Sequence, residues 1–518
     1  MEQNKTKMNK EYMEELLFAL ERKIPRDCKR LIRALGKETY VVGGCVRDVI
    51  LNKNPHDWDI TTKLTPQEIK NRLSGIEEYS INPLGEKYGT LVITTEEGNN
   101  YEVTTFRGDG NYSDNRHPDK VEFKKYLIED LHRRDFTMNA IAFRPNFSAI
   151  GNSAVIVDPN DGIEDLNNKL IRAVGNPNIR FEEDALRVMR CIRFSAQLGF
   201  EIEYSTGVAL YKGAEGLKNV SKERIRDEFN KILLSNSTIH IENALNVLHY
   251  SAAGLYKAIS PHLANMVGVN QRNPYHSYDL WEHSTIAMCC VKEPSYYTIQ
   301  DDDVPGEQLL ALRLAMLWHD TGKPDTCKLG DDNYYHYKNH AVRSEEIARE
   351  DLTRLKYSKK MINLVCCLIK YHDFVFAEDN KTITKQLKRL INKIGINRTQ
   401  DLIEVRMADI LAQNPRYIPE RLTKINRVKS LLHEIFENSE CVSIKDLKIT
   451  GNDIMEEFNL KPCKKVGDLL KIALDLVIDR GEEYNDKTTL LLYIKPIVNL
   501  SDEAMKEVLN KMEERIKE

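Results

Sequence analysis

The 518-residue chain contains no apolar run approaching the ~20 residues that a membrane span requires. Its opening residues, M-E-Q-N-K-T-K-M-N-K, lack the apolar stretch of a secretory signal. None of its ten cysteines falls in a C-x-x-C pair, which argues against a zinc ribbon or a dithiol redox site. The thiols are scattered, with adjacent pairs at Cys289–Cys290 and Cys366–Cys367, as expected of reduced cysteines in a cytoplasmic protein. Internal repeats and low-complexity tracts are absent too. Nor is there an excess of basic charge: 75 Lys and Arg face 79 Asp and Glu, a net charge of −4. A nucleic-acid partner would therefore have to be met by local basic clusters. What is present is an ordinary globular composition, 41% hydrophobic and 30% charged. At roughly 150 residues per domain, the length implies three or four domains.

Glu11–Lys23 has helical spacing and ends before Pro25, as a lead-in helix would. From about residue 25 to 160, helical segments alternate with strand-like runs at Tyr40–Val42, Trp58–Thr61, Gly89–Thr95, Tyr101–Phe106 and Ala154–Asp158, the pattern of an α/β domain. Arg107–Val121 is polar and Gly-containing, and is expected to be a mobile loop. After Asp161 the strand signal fades. Phe181–Leu198, Lys222–Leu234 and Asn243–His249 read as helices, and nearly everything beyond about 270 is helical. The expected divisions are 25–160, 161–265, 266–415 and 416–518.

Four clusters carry a first chemistry. In G-G-C-V-R-D (Gly43–Asp48), glycines let backbone amides approach phosphate while Arg47 supplies charge. Asp57 and Asp59 follow, expected on a strand, where residues i and i+2 share a face. Converging carboxylates repel unless a cation lies between them, and two oxygen ligands plus water and phosphate is how Mg²⁺ is usually held. Glu102, on N-Y-E-V-T-T-F-R, is a candidate third carboxylate. H-R-R-D-F-T-M-N-A (His132–Ala140) places Arg134 to face a nucleotide and Asp135 to fix a neighbour. In F-E-E-D-A-L-R-V-M-R-C-I-R-F (Phe181–Phe194), Asp184, Arg187, Arg190 and Arg193 are spaced by three, expected as one drifting polar face of a single helix. An Asp–Arg pair one turn apart offers an acceptor and a fork of donors for a base edge, and the other arginines suit phosphate. Each cluster alone has a plain structural reading: a tight turn, an exposed strand, or a salt-bridged helix face.

In this order the clusters resemble the class II tRNA nucleotidyltransferases, the CCA-adding enzymes, and their relatives the bacterial poly(A) polymerases. K-E-R-I-R-D-E-F (Lys222–Phe229) and L-K-I-T-G-N-D-I-M…L-K-P…V-G-D-L-L (Leu447–Leu470) extend the likeness over nearly the whole chain. The resemblance implies an α+β protein: a polymerase-β-like nucleotidyltransferase head, then an all-α neck, HD region and tail. It implies addition of C, C and A to a tRNA 3′ end from CTP and ATP, without a nucleic-acid template. Asp57 and Asp59 would bind Mg²⁺; Gly44 and Arg47 would hold the triphosphate. Arg134, Asp184, Arg187, Arg190 and Arg193 would contact the nucleotide, with Asp184 and Arg187 pairing with the base. The Arg107–Val121 stretch matches the family's flexible loop. L-G-E-K-Y-G-T (Leu84–Thr90) is similar to CCA-adding members rather than to poly(A) polymerases, which carry a basic stretch there. Departures are Trp58 between the aspartates, His117 where arginine is frequent, and Cys463 in place of a usual glycine. No membrane or protein partner is implied.

A second constellation runs His283, His319–Asp320, His340, His372 and Asp409 on successive helical segments. The order resembles the HD superfamily of metal-dependent phosphohydrolases. Imidazole with carboxylate suits Mn, Fe, Ni, Co or Zn, and a binuclear site could deliver hydroxide to phosphate. Such a site implies 2′,3′-cyclic phosphodiesterase or phosphatase activity. Competing readings are an A-only or poly(A)-adding enzyme, an HD hydrolase with a decayed transferase head, and a non-catalytic RNA-binding protein. Binding alone would not require the paired carboxylates.

Overall fold

The computed structural model describes residues 2–109, 121–147, 153–250, 257–292, 305–438 and 440–514. It comprises two compact units, Met1–Ile259 and Ser260–Glu518.

The first unit opens with the lead-in helix, which begins earlier than its periodicity shows and spans Glu2–Lys23. A mixed seven-stranded sheet follows. Its strands are β1 (Thr39–Val42), β2 (Ile60–Thr62), β3 (Tyr79–Asn82), β4 (Thr90–Thr95), β5 (Asn100–Thr105), β8 (Ala142–Arg144) and β9 (Val155–Val157), in spatial order β3-β4-β5-β2-β1-β8-β9. Only β2 and β5 pair in parallel, with Ile60 opposite Val103. Strands β6 (Arg107–Asp109) and β7 (Val121–Phe123) pair separately. The two ends of the expected mobile loop are therefore strands; its remainder, with His117, lies outside the described residues. The three-residue β8 and four-residue β3 are too short to carry a periodic signal, yet β8 flanks the central β1. Tyr40, Val42, Phe106, Leu131 and Ala142 share one apolar core that holds the central strands in place.

Two expectations are corrected here. Asp57 and Asp59 do not lie within a strand but in the segment entering β2. That segment stays extended enough for the Asp59 carbonyl to accept a bond from Val42 N at 3.0 Å. Exposure alternates through Asp57, buried Trp58 and Asp59, so the two carboxylates do share a face. Phe181–Leu198 is not one helix. Pro177–Glu183 and Leu186–Leu198 are separate, and Asp184 between them is extended (φ −140°, ψ 102°). Its carboxylate accepts from Leu186 N at 3.1 Å, the competition with helix backbone that a short acidic side chain offers.

The second unit is almost entirely helical. Its helices include Leu280–Cys290, Pro305–Trp318, His340–Arg354, Lys359–Tyr371 and Ile396–Leu411. One apolar core joins helices Asn380–Ile394, Ile396–Leu411 and Ile418–Glu437 through residues such as Leu387, Ile403 and Leu432. Another, around Leu469, Ala473 and Leu490, organises the last helices. Arg389 on Asp475 (3.2 Å) and Lys388 on Glu440 (2.8 Å) and Glu482 (3.0 Å) tie the two cores together. No helix of the described residues is long and apolar enough to cross a membrane.

Candidate functional site

In the first unit the four sequence clusters converge. Gly43 has φ +84°, the left-handed region that favours glycine, and an added Cβ would sit 3.3 Å from an Arg134 nitrogen. That turn starts the Gly44–Ile50 helix and places Arg47. Arg47 donates to Asp48 (2.9 and 2.8 Å) and to Asn139 Oδ1 (2.8 Å). Asn139 donates in turn to Asp135 (3.3 Å), which also accepts from Arg190 Nε (2.8 Å). Burial opposes ionisation of Asp135, but Arg190 outweighs it and the carboxyl is held at about 2.

Phe194 is the hub of this arrangement. The guanidinium carbons of Arg193, Arg47 and Arg190 lie 4.3, 5.2 and 5.5 Å from its ring centre. Three cations around one aromatic ring are stabilised by its quadrupole, while they repel one another. Burial, and then Arg190, push Arg193 down to about 10, and Glu228 compensates from 3.0 Å.

The carboxylate side is open. Asp57, Asp59 and Glu102 are exposed, and among the described residues no Lys or Arg lies within 4.0 Å of any of them. The β2–β5 register, one step before Ile60↔Val103, sets Asp59 beside Glu102. Desolvation raises the Asp59 pKa; Arg134 draws it down, while Glu102 and Asp57 raise it further. Arg134 itself pairs with the fully buried Asp130 at 3.1 Å, which also holds Arg133 at 2.8 Å. Mutually repelling carboxylates without a cation partner fit a divalent ion held by oxygen ligands.

The expected base-reading pair is not assembled as a pair. Arg187 is buried and donates to Glu183 (2.6 Å), the Arg180 carbonyl (3.1 Å) and the Arg133 carbonyl (3.2 Å). Asp184 accepts instead from Arg224 at 3.2 Å. Sequence reasoning missed Phe194, Asn139, Glu183, Arg224 and Glu228 as members of this site, although all five stand inside the quoted motifs. Their types (an aromatic, an amide, two acids beside arginines) read as packing or capping until the fold brings them together.

In the second unit all six expected ligands meet at helix ends. His283 lies in the Leu280–Cys290 helix; His319 and Asp320 directly follow Trp318; His340 opens its helix; His372 caps the Lys359–Tyr371 helix; Asp409 is in the last turn of the Ile396–Leu411 helix. Each histidine donates Nδ1–H to a backbone carbonyl: Ala412 (3.1 Å), Met316 (2.7 Å), Tyr337 (2.9 Å) and Ile369 (2.7 Å), respectively. For His319 and His372 these are carbonyls three residues back in the last helical turn, where the regular i+4 backbone donors run out. The bonds fix the tautomer and leave every Nε2 lone pair facing inward. His283 Nε2 is 3.1 Å from Asp409, His319 Nε2 is 3.1 Å from Asp320, His340 Nε2 is 3.4 Å from Asp320 and His372 Nε2 is 3.7 Å from Asp320. His340 and His372 face each other Nε2 to Nε2 at 3.2 Å.

One candidate ligand atom from each of His283, His319 and Asp409, and likewise from His319, Asp320 and His372, falls within 4.8 Å of the others. Asp320 Oδ1 and the Nε2 atoms of His283 and His319 are buried without a hydrogen-bond partner, and Asp320 Oδ2 meets the Lys323 ammonium. Lone pairs aimed at lone pairs in a buried site fit a metal cation of the imidazole-and-carboxylate class. Burial pushes His340 down to about 4, keeping it a neutral ligand, while His319 and Lys323 outweigh burial to hold Asp320 well below the usual carboxylate range. Lys323, Gln271, His276 and Arg406 were not anticipated here. Lys323 lies four residues beyond His319, in H-D-T-G-K (His319–Lys323), with Nζ 2.6 Å from Asp320 and 2.8 Å from Gln271. Arg406 donates to Asp409 at 2.9 Å.

The first unit thus carries a polymerase-β-like nucleotidyltransferase head, followed by helices. Known proteins agree. The model of the Poly A polymerase head domain matches residues 39–172, one for an RNA and SrmB binding site of polymerase A matches 199–266, and one for tRNA nucleotidyltransferase domain 2 matches 339–494. A CCA-adding enzyme of Staphylococcus aureus is 39% identical over 461 residues, 89% of this chain and 94% of that protein. One from Enterococcus faecalis is 48% identical over 205 residues, and one from Leuconostoc citreum 45% over 216; these alignments span about half of each relative (47% and 50%). The crystal structure of the Bacillus stearothermophilus CCA-adding enzyme in complex with CTP shares the fold, with a TM-score of 0.62 at 23% identity over 91% of this chain and 97% of that one. The chain belongs to the class II CCA-adding enzyme family.

Proposed function

We propose that the protein adds C, C and A to the 3′ end of tRNA from CTP and ATP, releasing pyrophosphate, and that its second unit hydrolyses phosphoesters, with 2′,3′-cyclic phosphates at RNA ends the leading class. Functionally, the chain divides into a nucleotidyltransferase head (25–160), a nucleotide-recognising neck (161–265), a metal-dependent phosphohydrolase region (266–415) and a tRNA-binding tail (416–518). The observation that carries the transferase reading is the arginine cluster on Phe194, joined through Asn139 and Asp135 to the Gly43 turn and lying in the same unit as the open Asp57, Asp59 and Glu102.

Asp57 and Asp59 would hold Mg²⁺, with Glu102 as third carboxylate; bound Mg²⁺ neutralises triphosphate charge and activates the attacking hydroxyl. The Gly44 turn and Arg47 hold the triphosphate. Arg190, Arg193 and Arg134 supply the remaining positive charge. The tRNA 3′-hydroxyl forms its new bond to the α-phosphorus as the bond to pyrophosphate breaks. Asp184 and Arg187 read the base by exchanging their present partners, Arg224 and Glu183, for its hydrogen-bonding edge.

A Thermotoga maritima CCA-adding enzyme of the same fold (TM-score 0.52) is known in complex with tRNA, which supports a tRNA substrate. In the second unit His283, His319, Asp320, His340, His372 and Asp409 would hold one or two ions drawn from Mn, Fe, Ni, Co or Zn. Such ions supply a hydroxide nucleophile near neutral pH. An A-only or poly(A)-adding activity is the competing outcome.

Asp57→Ala separates these activities. It should abolish CMP and AMP incorporation while tRNA binding and phosphoester hydrolysis persist. Incorporation that survives in this variant contradicts the assignment of the head.

A further inference from the structure

One loop at the metal cluster is built differently from the rest of that unit. Gln271 to His276 is pinned from both sides by backbone bonds. Tyr335 N donates to the Arg272 carbonyl (3.2 Å), and Asn414 donates from N to the Tyr275 carbonyl (2.8 Å) and from Nδ2 to the Pro274 carbonyl (3.0 Å). At its inner end the His276 ring meets the His283 ring edge-on at 4.7 Å, and His276 Nδ1 is buried without a partner. At its outer end Tyr275 is 44% exposed. The Arg421 guanidinium lies 4.5 Å from the Tyr275 ring centre, Tyr417 packs on the same ring at 5.1 Å, and Arg416 stacks on Tyr417 at 5.8 Å. Arg421 also donates to Gln413, whose amide donates to both Asp409 oxygens at 3.4 Å. The aromatic–arginine stack is therefore joined to a metal-ligand candidate by two hydrogen bonds.

Alternating tyrosines and arginines, partly exposed and rigidly held, form the stacking platform on which unpaired bases settle, because every base presents a π face and carries an anionic phosphate. Pure phosphate recognition would need the cations but not the rings. Resting on the phosphohydrolase reading of the second unit, we infer that Tyr275, Tyr417, Arg416 and Arg421 form a nucleoside subsite. This subsite seats the terminal nucleoside while its 2′,3′-phosphate reaches the histidine–aspartate cluster. The substrate class is a nucleoside 2′,3′-cyclic phosphate, not a small phosphoester. Hydrolysis adds water across one P–O bond, leaving a phosphomonoester and a free hydroxyl.

The test compares, on the full-length metal-loaded protein, kcat/KM for 2′,3′-cAMP with that for glycerol 1,2-cyclic phosphate, which has the same cyclic ester but no base. The wild type should favour the nucleotide by about tenfold or more, the range expected from stacking one base. Tyr275→Ala should bring the ratio towards one, and Tyr275→Phe, which keeps the ring, should restore it; using a ratio cancels any general loss of folded or metal-loaded protein. An oligoribonucleotide ending in a cyclic phosphate is the third arm. A higher kcat/KM than for 2′,3′-cAMP assigns the subsite to RNA ends, and an equal or lower one assigns it to free nucleotides. A wild-type ratio near one, or a ratio unchanged in Tyr275→Ala, overturns the inference. Calorimetric titration with 3′-AMP is the second readout. If no metal supports hydrolysis but 3′-AMP binding still depends on Tyr275, the phosphohydrolase reading falls and the subsite stands; if binding is also independent of Tyr275, both fall.

Discussion

The two sites solve opposite electrostatic problems. In the first unit's site, nearly every cation already has an anion: Arg47 has Asp48, Arg134 has Asp130, Arg190 has Asp135, Arg193 has Glu228 and Arg187 has Glu183. In the second unit, lone pairs face lone pairs: Asp320 Oδ1 has no hydrogen-bond donor, and Oδ2 meets the Lys323 ammonium at 2.6 Å. The first arrangement holds itself together before a nucleotide arrives, so recognition proceeds by exchange of partners. The second is incomplete in donors and calls for a cation. Removing one residue should therefore weaken folding in the head, but cost ligand occupancy in the second unit.

The largest expected effect is on the second side of that contrast. His319→Ala with Asp320→Ala should eliminate hydrolysis of 2′,3′-cAMP and reduce bound transition metal, read by elemental analysis, to background. CMP addition by the same protein should be retained. Loss of nucleotide addition in parallel would mean that the two sites are not separable.

Next is Asp135→Asn, which leaves the Arg190 charge without its buried partner. Breaking such a pair costs roughly 3–5 kcal/mol. Because the folded-state carboxyl is held at about 2, below the unfolded value of 3.8, its ionisation stabilises the fold above about pH 4, and that stabilisation disappears as pH falls towards 2. Urea unfolding of wild type and variant across this range should show stability curves that converge at the acid end. Parallel curves would show that the pair does not act through charge.

Smaller, and on selectivity rather than stability, is Arg224→Ala. It frees Asp184, and the ratio of CMP to AMP incorporation at each tRNA position should shift several-fold while total incorporation changes less. The smallest effect is expected from Phe194→Leu, which removes the ring that three guanidiniums approach. At about 0.5–1 kcal/mol for the cation–π contribution, KM for CTP and ATP should rise about two- to fivefold with kcat little altered.

Much of this contrast was legible in the residues. The six histidines and aspartates expected as ligands stand on successive helical segments, and the helices bring them together at their ends. The α+β class and five of the seven main strands followed from alternation of apolar residues. What could not be read was partner choice. Asp184 and Arg187 are three apart, so a continuous helix would pair them; instead Asp184 breaks the helix and bonds to Arg224, forty residues away, while Arg187 takes Glu183 four residues before it. Phe194 looked like a core residue and is nearly buried, but its face belongs to arginines 47, 190 and 193. The Nδ1 bonds that orient the four ligand histidines go to backbone carbonyls, which carry no sequence signature.

The most direct measurement is end-sequencing of a tRNA lacking its last three nucleotides after incubation with CTP, with ATP, or with both. The expected products are CC with CTP alone, CCA with both, and no extension of that substrate with ATP alone. Addition of A only to a tRNA already ending in CC, without CMP incorporation, or long A-tracts on arbitrary RNA, would contradict the assignment.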